Sequence, residues 1–270
     1  MEFKFKEKAI YYECHGEGEP LLILNGIFMS CASWAPFIPE FAKNNKLLLL
    51  DMLDQGMSEK MDIEYTLDIQ ADLVLTFLDH LGLEYVNICG MSYGGEVAMK
   101  ISASHPDRIK RLVLSNTTAY TSVWLKDIGH SWEYAFNSYD GRQFFKTCIP
   151  SVYSPMFFEE NIDWLREREE MFIKYFNKPV YDAFGRLTRS AESHDERVAL
   201  KNITAPTLVI SSEYDFITPV YLQKELVEAI PDAAHVTVQN AGHALMYEKP
   251  AEFTALVLGF INTNIAARII

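Results

Sequence analysis

The chain has 270 residues, 49% of them hydrophobic and 23% charged, and a formal net charge of −13. That is enough apolar material for a sizeable core, and the length admits one large α/β domain or two small ones. The acidic balance argues against nucleic acid and anionic membrane as partners, because both call for a basic face.

Met1-Glu2-Phe3-Lys4-Phe5-Lys6 alternates charged and aromatic side chains, with no apolar stretch of the secretory kind. No apolar run reaches the roughly 18 residues of a membrane span. A cytoplasmic location is therefore expected. Cys14, Cys31, Cys89 and Cys148 are scattered, without a CxxC pair, so neither a zinc site nor a disulfide framework is expected.

Residues 3–5 and 9–12 alternate as a hairpin would. Leu21-Leu22-Ile23-Leu24, residues 47–50, Val86-Asn87-Ile88-Cys89 and Leu112-Val113-Leu114 are short apolar runs suited to a parallel sheet buried on both faces. Helical spacing separates them over 66–81, where Thr66 can cap the start and Gly82 the end, and over 95–105, before Pro106. Strand and helix alternate, which predicts an α/β chain with crossover connections. Between 118 and 191 the alternation stops. That segment is rich in aromatics, most of them expected in a helical core and a few at a pocket, with helical spacing clear over 161–176. The alternation resumes with a strand over 206–211, a helix over 220–229, a strand over 235–238 and a closing helix over 250–261, where Pro250 suits the first turn.

The sharpest motif is Gly90-Met91-Ser92-Tyr93-Gly94, a G-x-S-x-G between an apolar strand and a helix. A serine on so tight a turn is lifted above the sheet edge, with the next helix aiming its free N–H groups at it. Here the chain resembles the α/β-hydrolase family, over essentially its whole length. The resemblance implies a mostly parallel eight-stranded sheet flanked by helices. It also implies a helical cap inserted after the sixth strand, giving a core of 1–117 and 192–270 and a cap of 118–191.

A serine nucleophile needs a base, and the base an orienting carboxylate. Of seven histidines, His243 lies in Asn240-Ala241-Gly242-His243-Ala244, which looks like the family's late histidine loop. The segment from Ser211 to Pro219 resembles the family's G-x-x-D-x-x-x-P and places the acid at Asp215, with Glu213 as its rival. The order Ser92, Asp215, His243 is the one this fold uses. The oxyanion donors carried over by position are the backbone N–H groups of Tyr93 and of Ile27, the latter in Asn25-Gly26-Ile27-Phe28. Asn25 stands where the family usually has histidine. Asp54 stands at a usual glycine position of the loop from Asp51 to Ser58, where a turn-forming role is expected, since aspartate tolerates left-handed backbone.

Relatives that open epoxides or remove halogens carry aspartate at the elbow; serine favours hydrolysis of an ester or thioester through an acyl-enzyme, with no metal or organic cofactor. Phe28, Trp124, Trp132 and Tyr153 are the candidate substrate-binding residues, for a small, apolar substrate. Two other readings stay open: a cofactor-free carbon–carbon bond hydrolase or perhydrolase with the same triad, and a non-catalytic ligand-binding receptor of the same fold. The cap's Arg166, Arg168, Lys174, Lys178, Arg186 and Arg189 form either a solvated face or a docking patch for an acyl carrier protein or coenzyme A thioester.

Overall fold

A computed structural model describes residues 1–263. Its eight strands are β1 (Glu2–Phe5), β2 (Lys8–His15), β3 (Glu19–Leu24), β4 (Asn45–Leu50), β5 (Val86–Met91), β6 (Ile109–Ser115), β7 (Thr207–Ser212) and β8 (Ala233–Val238). They form one sheet in the order β1-β2-β4-β3-β5-β6-β7-β8. β1 and β2 pair as the expected hairpin, with Phe3 opposite Ile10. β2 runs antiparallel to β4, and every pairing from β4 to β8 is parallel.

Alternation along the central strands feeds two cores. Leu22, Leu24, Leu48, Leu50, Ile88, Leu112 and Leu114 face one side. Leu21, Ile23, Leu47, Leu49, Cys89 and Val113 face the other. A strand covered on both faces has to be apolar at every position, which is why these runs do not alternate in sequence.

The helices are α1 (Ile38–Phe41), α2 (Leu67–His80), α3 (Tyr93–Ser104), α4 (Val123–Asn137), α5 (Gly141–Val152), α6 (Pro155–Glu160), α7 (Ile162–Tyr175), α8 (Lys178–Ser190), α9 (Val220–Ala229), α10 (Leu245–Glu248) and α11 (Pro250–Asn262). α2 and α3 cover the first core, while α1 and α11 cover the second. Thr66 holds the N-cap position of α2, but its hydroxyl donates to Asp68 rather than to the helix backbone. Gly82, at φ +65°, follows the end of that helix.

Helices α4 to α8 all lie in the segment between β6 and β7. The two ends of that segment are tied together: Thr121 N–H donates to His194 O at 2.9 Å and Glu196 N–H to Ala119 O at 2.8 Å. Phe136, Phe144, Phe145, Phe172 and Phe184 pack against one another inside the helices. Phe28, from the loop after β3, inserts its ring among Trp132, Phe136, Phe144 and Phe184. Arg186 on α8 reaches Asp54 in the loop after β4 with two hydrogen bonds, of 2.7 and 3.0 Å. No helix among the described residues is long and apolar enough to cross a membrane.

Candidate active site

β5 ends at Met91 and α3 begins at Tyr93, so the whole change of direction falls on Ser92. Its backbone takes φ +51°, ψ −120°, a conformation that costs an L-residue about 1–3 kcal/mol. Neighbouring groups hold it there. Ser92 N–H donates to Ser115 O at 2.9 Å, and Ser92 O accepts from Gly95 N–H at 2.8 Å and from Thr117 Oγ1 at 2.8 Å. Gly94 lets α3 pass close to β3, for a Cβ there would lie 2.2 Å from Leu24 O.

The turn brings Ser92 Oγ to 2.9 Å from His243 Nε2. His243 Nδ1 stands 3.0 Å from each carboxylate oxygen of Asp215. The three sequence-predicted residues, 151 positions apart at the extremes, thus form one hydrogen-bonded chain. Glu213, the rival acid, points elsewhere and accepts from Asn240 N–H. The His243 loop is fastened to the helical segment: Ala244 N–H donates to Val152 O at 3.0 Å, and Glu248 accepts from Ser154 N–H at 2.9 Å.

Asp215 is buried and amply supported. Its Oδ1 accepts from the N–H groups of Ile217 and Thr218, and its Oδ2 accepts from Thr218 Oγ1, Asn116 Nδ2 and Gln223 Nε2. Burial by itself would push its pKa up. The His243 imidazole and the donors from Thr218 and Asn116 outweigh that and hold it below the ordinary carboxylate range. Asn116, Thr218 and Gln223 escaped the sequence reading. Asn116 directly follows β6, with a left-handed φ of +50°, and a polar residue of the Asn/Asp kind at a strand end is the only signal it gives.

Ile27 and Tyr93 flank Ser92 at one cavity. Their N–H groups have no hydrogen-bond partner in the protein among the described residues. Asn25, buried just before this loop, donates to Leu50 O at 2.8 Å and accepts from Trp34 Nε1 at 2.7 Å, while Gln55 Nε2 donates to Gly26 O. Asparagine here works as a brace for the loop. Asp54 has φ +67° and accepts from Met61 N–H, so it shapes its turn as well as meeting Arg186.

The cavity measures about 150 Å³, and its wall is mostly apolar. Phe28, Trp132 and Tyr153 line it, together with Met29, Leu125, Ile149 and Phe172. Trp124 does not. It sits near the start of α4 with half its surface exposed, and its indole donates to Phe216 O at 2.7 Å. The helical phase turns it outward, one position away from the cavity-lining Leu125.

Among the basic residues, Arg166 pairs with Glu169, Lys178 with Asp182, Arg186 with Asp54, and Arg189 with Glu64 and Glu133. Arg168 differs. It lines the cavity, lies over the rings of Trp164 and Tyr247, and has no carboxylate within salt-bridge distance among the described residues. The four cysteines are free, and no cluster suited to a metal ion occurs among the described residues.

Comparison with known proteins gives a consistent picture. A model of the alpha/beta hydrolase fold matches residues 19–250. The crystal structure of MGS-M2, an alpha/beta hydrolase enzyme from a Medee basin deep-sea metagenome library, is 44% identical, with a TM-score of 0.96 over 98% of each chain. A protein named carbamate hydrolase RutD, from Azorhizobium caulinodans, is 27% identical, over 93% of this chain and 94% of its own. The 2-hydroxymuconate semialdehyde hydrolase of Pseudomonas sp. strain CF600 is 27% identical, over 94% and 90%.

Proposed function

We propose a serine-hydrolase activity for this chain, which belongs to the α/β-hydrolase family: cleavage of an ester or thioester of a small, largely apolar substrate through an acyl-enzyme on Ser92. The observation that carries the reading is the 2.9 Å approach of Ser92 Oγ to His243 Nε2 on a strained turn that opens into an apolar cavity.

His243 Nε2 takes the Ser92 hydroxyl proton as Oγ attacks the substrate carbonyl carbon, and Asp215 holds the Nδ1–H and stabilises the imidazolium. The N–H groups of Ile27 and Tyr93 receive the oxyanion; in acyl transfer generally, losing one such donor costs about 10²–10³ in rate. The imidazolium returns the proton to the leaving oxygen or sulfur, and the acyl group stays on Ser92. Water then attacks with His243 as base again, releasing the acid. A cavity of about 150 Å³ is of the size that takes a benzene-sized group, so a short or ring-bearing acyl part fits.

Hydrolysis of p-nitrophenyl esters from acetate to decanoate tests this. Release should peak at short to medium chains and vanish in Ser92→Ala. Release that persists in Ser92→Ala removes the proposed nucleophile.

Arg168 favours a second reading. A guanidinium in a mostly apolar cavity, lying over aromatic rings beside the Tyr153 hydroxyl and with no carboxylate paired to it among the described residues, suits the carboxylate of an acid-bearing substrate. The relative named for 2-hydroxymuconate semialdehyde cleaves a substrate of that kind. Carbon–carbon hydrolysis by the same Ser92 and His243 would show as turnover of an acidic 1,5-diketone that falls on Arg168→Met, with p-nitrophenyl acetate hydrolysis retained.

A further inference from the structure

Four residues after Ser92, on the same face of α3, stands Glu96. It is 95% buried, being 5% exposed, and it lines the cavity that Ser92 opens into. Its Oε2 is fully enclosed and has no hydrogen-bond partner. No Lys, Arg or His lies within salt-bridge distance of it among the described residues. Two cations of its surroundings are engaged elsewhere: Lys100, one turn further along α3, holds Asp68 and Glu196, and Arg189, on the cavity wall, holds Glu64 and Glu133; Arg168, also on the wall, lies over Trp164 and Tyr247. Burial acts on the carboxyl with no charge or hydrogen bond to offset it, and it pushes the pKa well above the ordinary carboxylate range, which favours the protonated form.

A carboxyl that keeps its proton is a hydrogen-bond donor. Leaving such a donor buried without an acceptor costs about 1–3 kcal/mol. The protein offers it no acceptor, and the cavity wall beside it is mostly apolar. If Glu96 only filled space, an apolar side chain would do so without that cost. A missing partner on the protein side, at the wall of a ligand cavity, points to a partner on the ligand.

We propose that Glu96 is a specificity-determining residue, its carboxyl donating a hydrogen bond to an uncharged acceptor oxygen, of keto or ether type, that the substrate carries in addition to its reacting carbonyl. The assignment rests on the acyl-transfer reading of Ser92 for which carbonyl reacts. The helix sets the spacing: Ser92 and Glu96 are separated by about 6 Å of rise, and helical side chains lean back toward the N-terminus. The acceptor therefore belongs a few carbons from the scissile bond.

Two measurements test this. The first compares kcat/KM for p-nitrophenyl 5-oxohexanoate and p-nitrophenyl hexanoate in the parent, Glu96→Gln and Glu96→Leu. The keto-to-plain ratio should fall about tenfold in Glu96→Leu, as loss of one buried hydrogen bond implies, and stay near the parent's in Glu96→Gln, which keeps a donor. An unchanged ratio in Glu96→Leu overturns the proposal. The second is independent of turnover. In Ser92→Ala, the infrared band of a protonated carboxyl should disappear on adding Glu96→Gln and shift to lower frequency when 2-hexanone is added. No such band, or no shift up to the solubility of the ketone, overturns the proposal. Parent enzyme that cleaves neither ester refutes the acyl-transfer reading, and the infrared result then decides on Glu96 by itself.

Discussion

Removing the Arg186 guanidinium should loosen the α4–α8 layer from the sheet-bearing core. The Asp54 side chain it meets is completely buried and that of Arg186 is 12% exposed, so solvent screens the pair little. With Arg186→Met, Asp54 is left with the Met61 N–H and the Tyr65 hydroxyl beside it. Stranding one partner of a buried pair costs about 3–5 kcal/mol in general; Lys60 is near enough to interact with Asp54, which argues for the lower end, about 3 kcal/mol. At about 2–4 °C per kcal/mol for a chain near this size, Tm should drop by about 6–12 °C. Asp54→Asn keeps a residue that tolerates the left-handed φ of +67° and removes the charge. The double variant Asp54→Asn/Arg186→Met should therefore recover most of the loss, with a coupling of about 2 kcal/mol in a double-mutant cycle read by urea unfolding. Arg186→Met melting within about 2 °C of the parent, or a double variant as unstable as the single one, would refute the reasoning.

Asp215→Asn should keep the fold and lower kcat by about 10⁴, the scale for losing the carboxylate that holds the imidazole tautomer; ester kinetics and a melting curve check both halves. Asn116→Ala removes one of five donors to Asp215 and should raise that carboxyl's pKa, moving the acid limb of the kcat/KM profile to higher pH. Gly94→Ala puts a methyl 2.2 Å from Leu24 O and should abolish soluble, active protein, as expression and gel filtration will show. Glu96 binds its proton more tightly folded than unfolded, so its contribution is complete below the unfolded pKa near about 4.3 and is lost as pH rises toward the folded pKa. The stability gained on Glu96→Gln should therefore grow with pH from that point, by up to about 1.4 kcal/mol per pH unit, in urea titrations at several pH values.

Much of this architecture was legible because the signals are local. A run such as Leu47-Leu48-Leu49-Leu50 can be satisfied only where both faces are covered, and β4 is covered on both. The elbow was legible for the same reason, since strand, tight turn and helix are contiguous. The aromatics of α4 were harder. Trp124 and Trp132 look alike in a list of residues, yet the helix turns one to solvent and the other to Phe28. The braces were invisible for a different reason. Asn116 reaches Asp215 across 99 residues, and only the pairing of β6 with β7 makes them neighbours.

The two acids of the cavity region carry the point further. Asp215 and Glu96 are both buried, and burial pushes both toward the neutral form. Asp215 is met by an imidazole and five donors, so its charge is retained and can steady His243. Glu96 is met by none, so its proton stays and becomes the thing it can offer. In sequence, Glu96-Val97-Ala98-Met99-Lys100 carries charges at i and i+4, a pattern common on solvated helix faces. That pattern misleads, because α3 is enclosed almost all round, between the sheet, α2 and the segment before β7. What distinguishes a charged acid from a neutral one is the inventory of its neighbours, and those neighbours arrive from β6, the loop after β7 and the loop after β8 in one case, and are absent in the other.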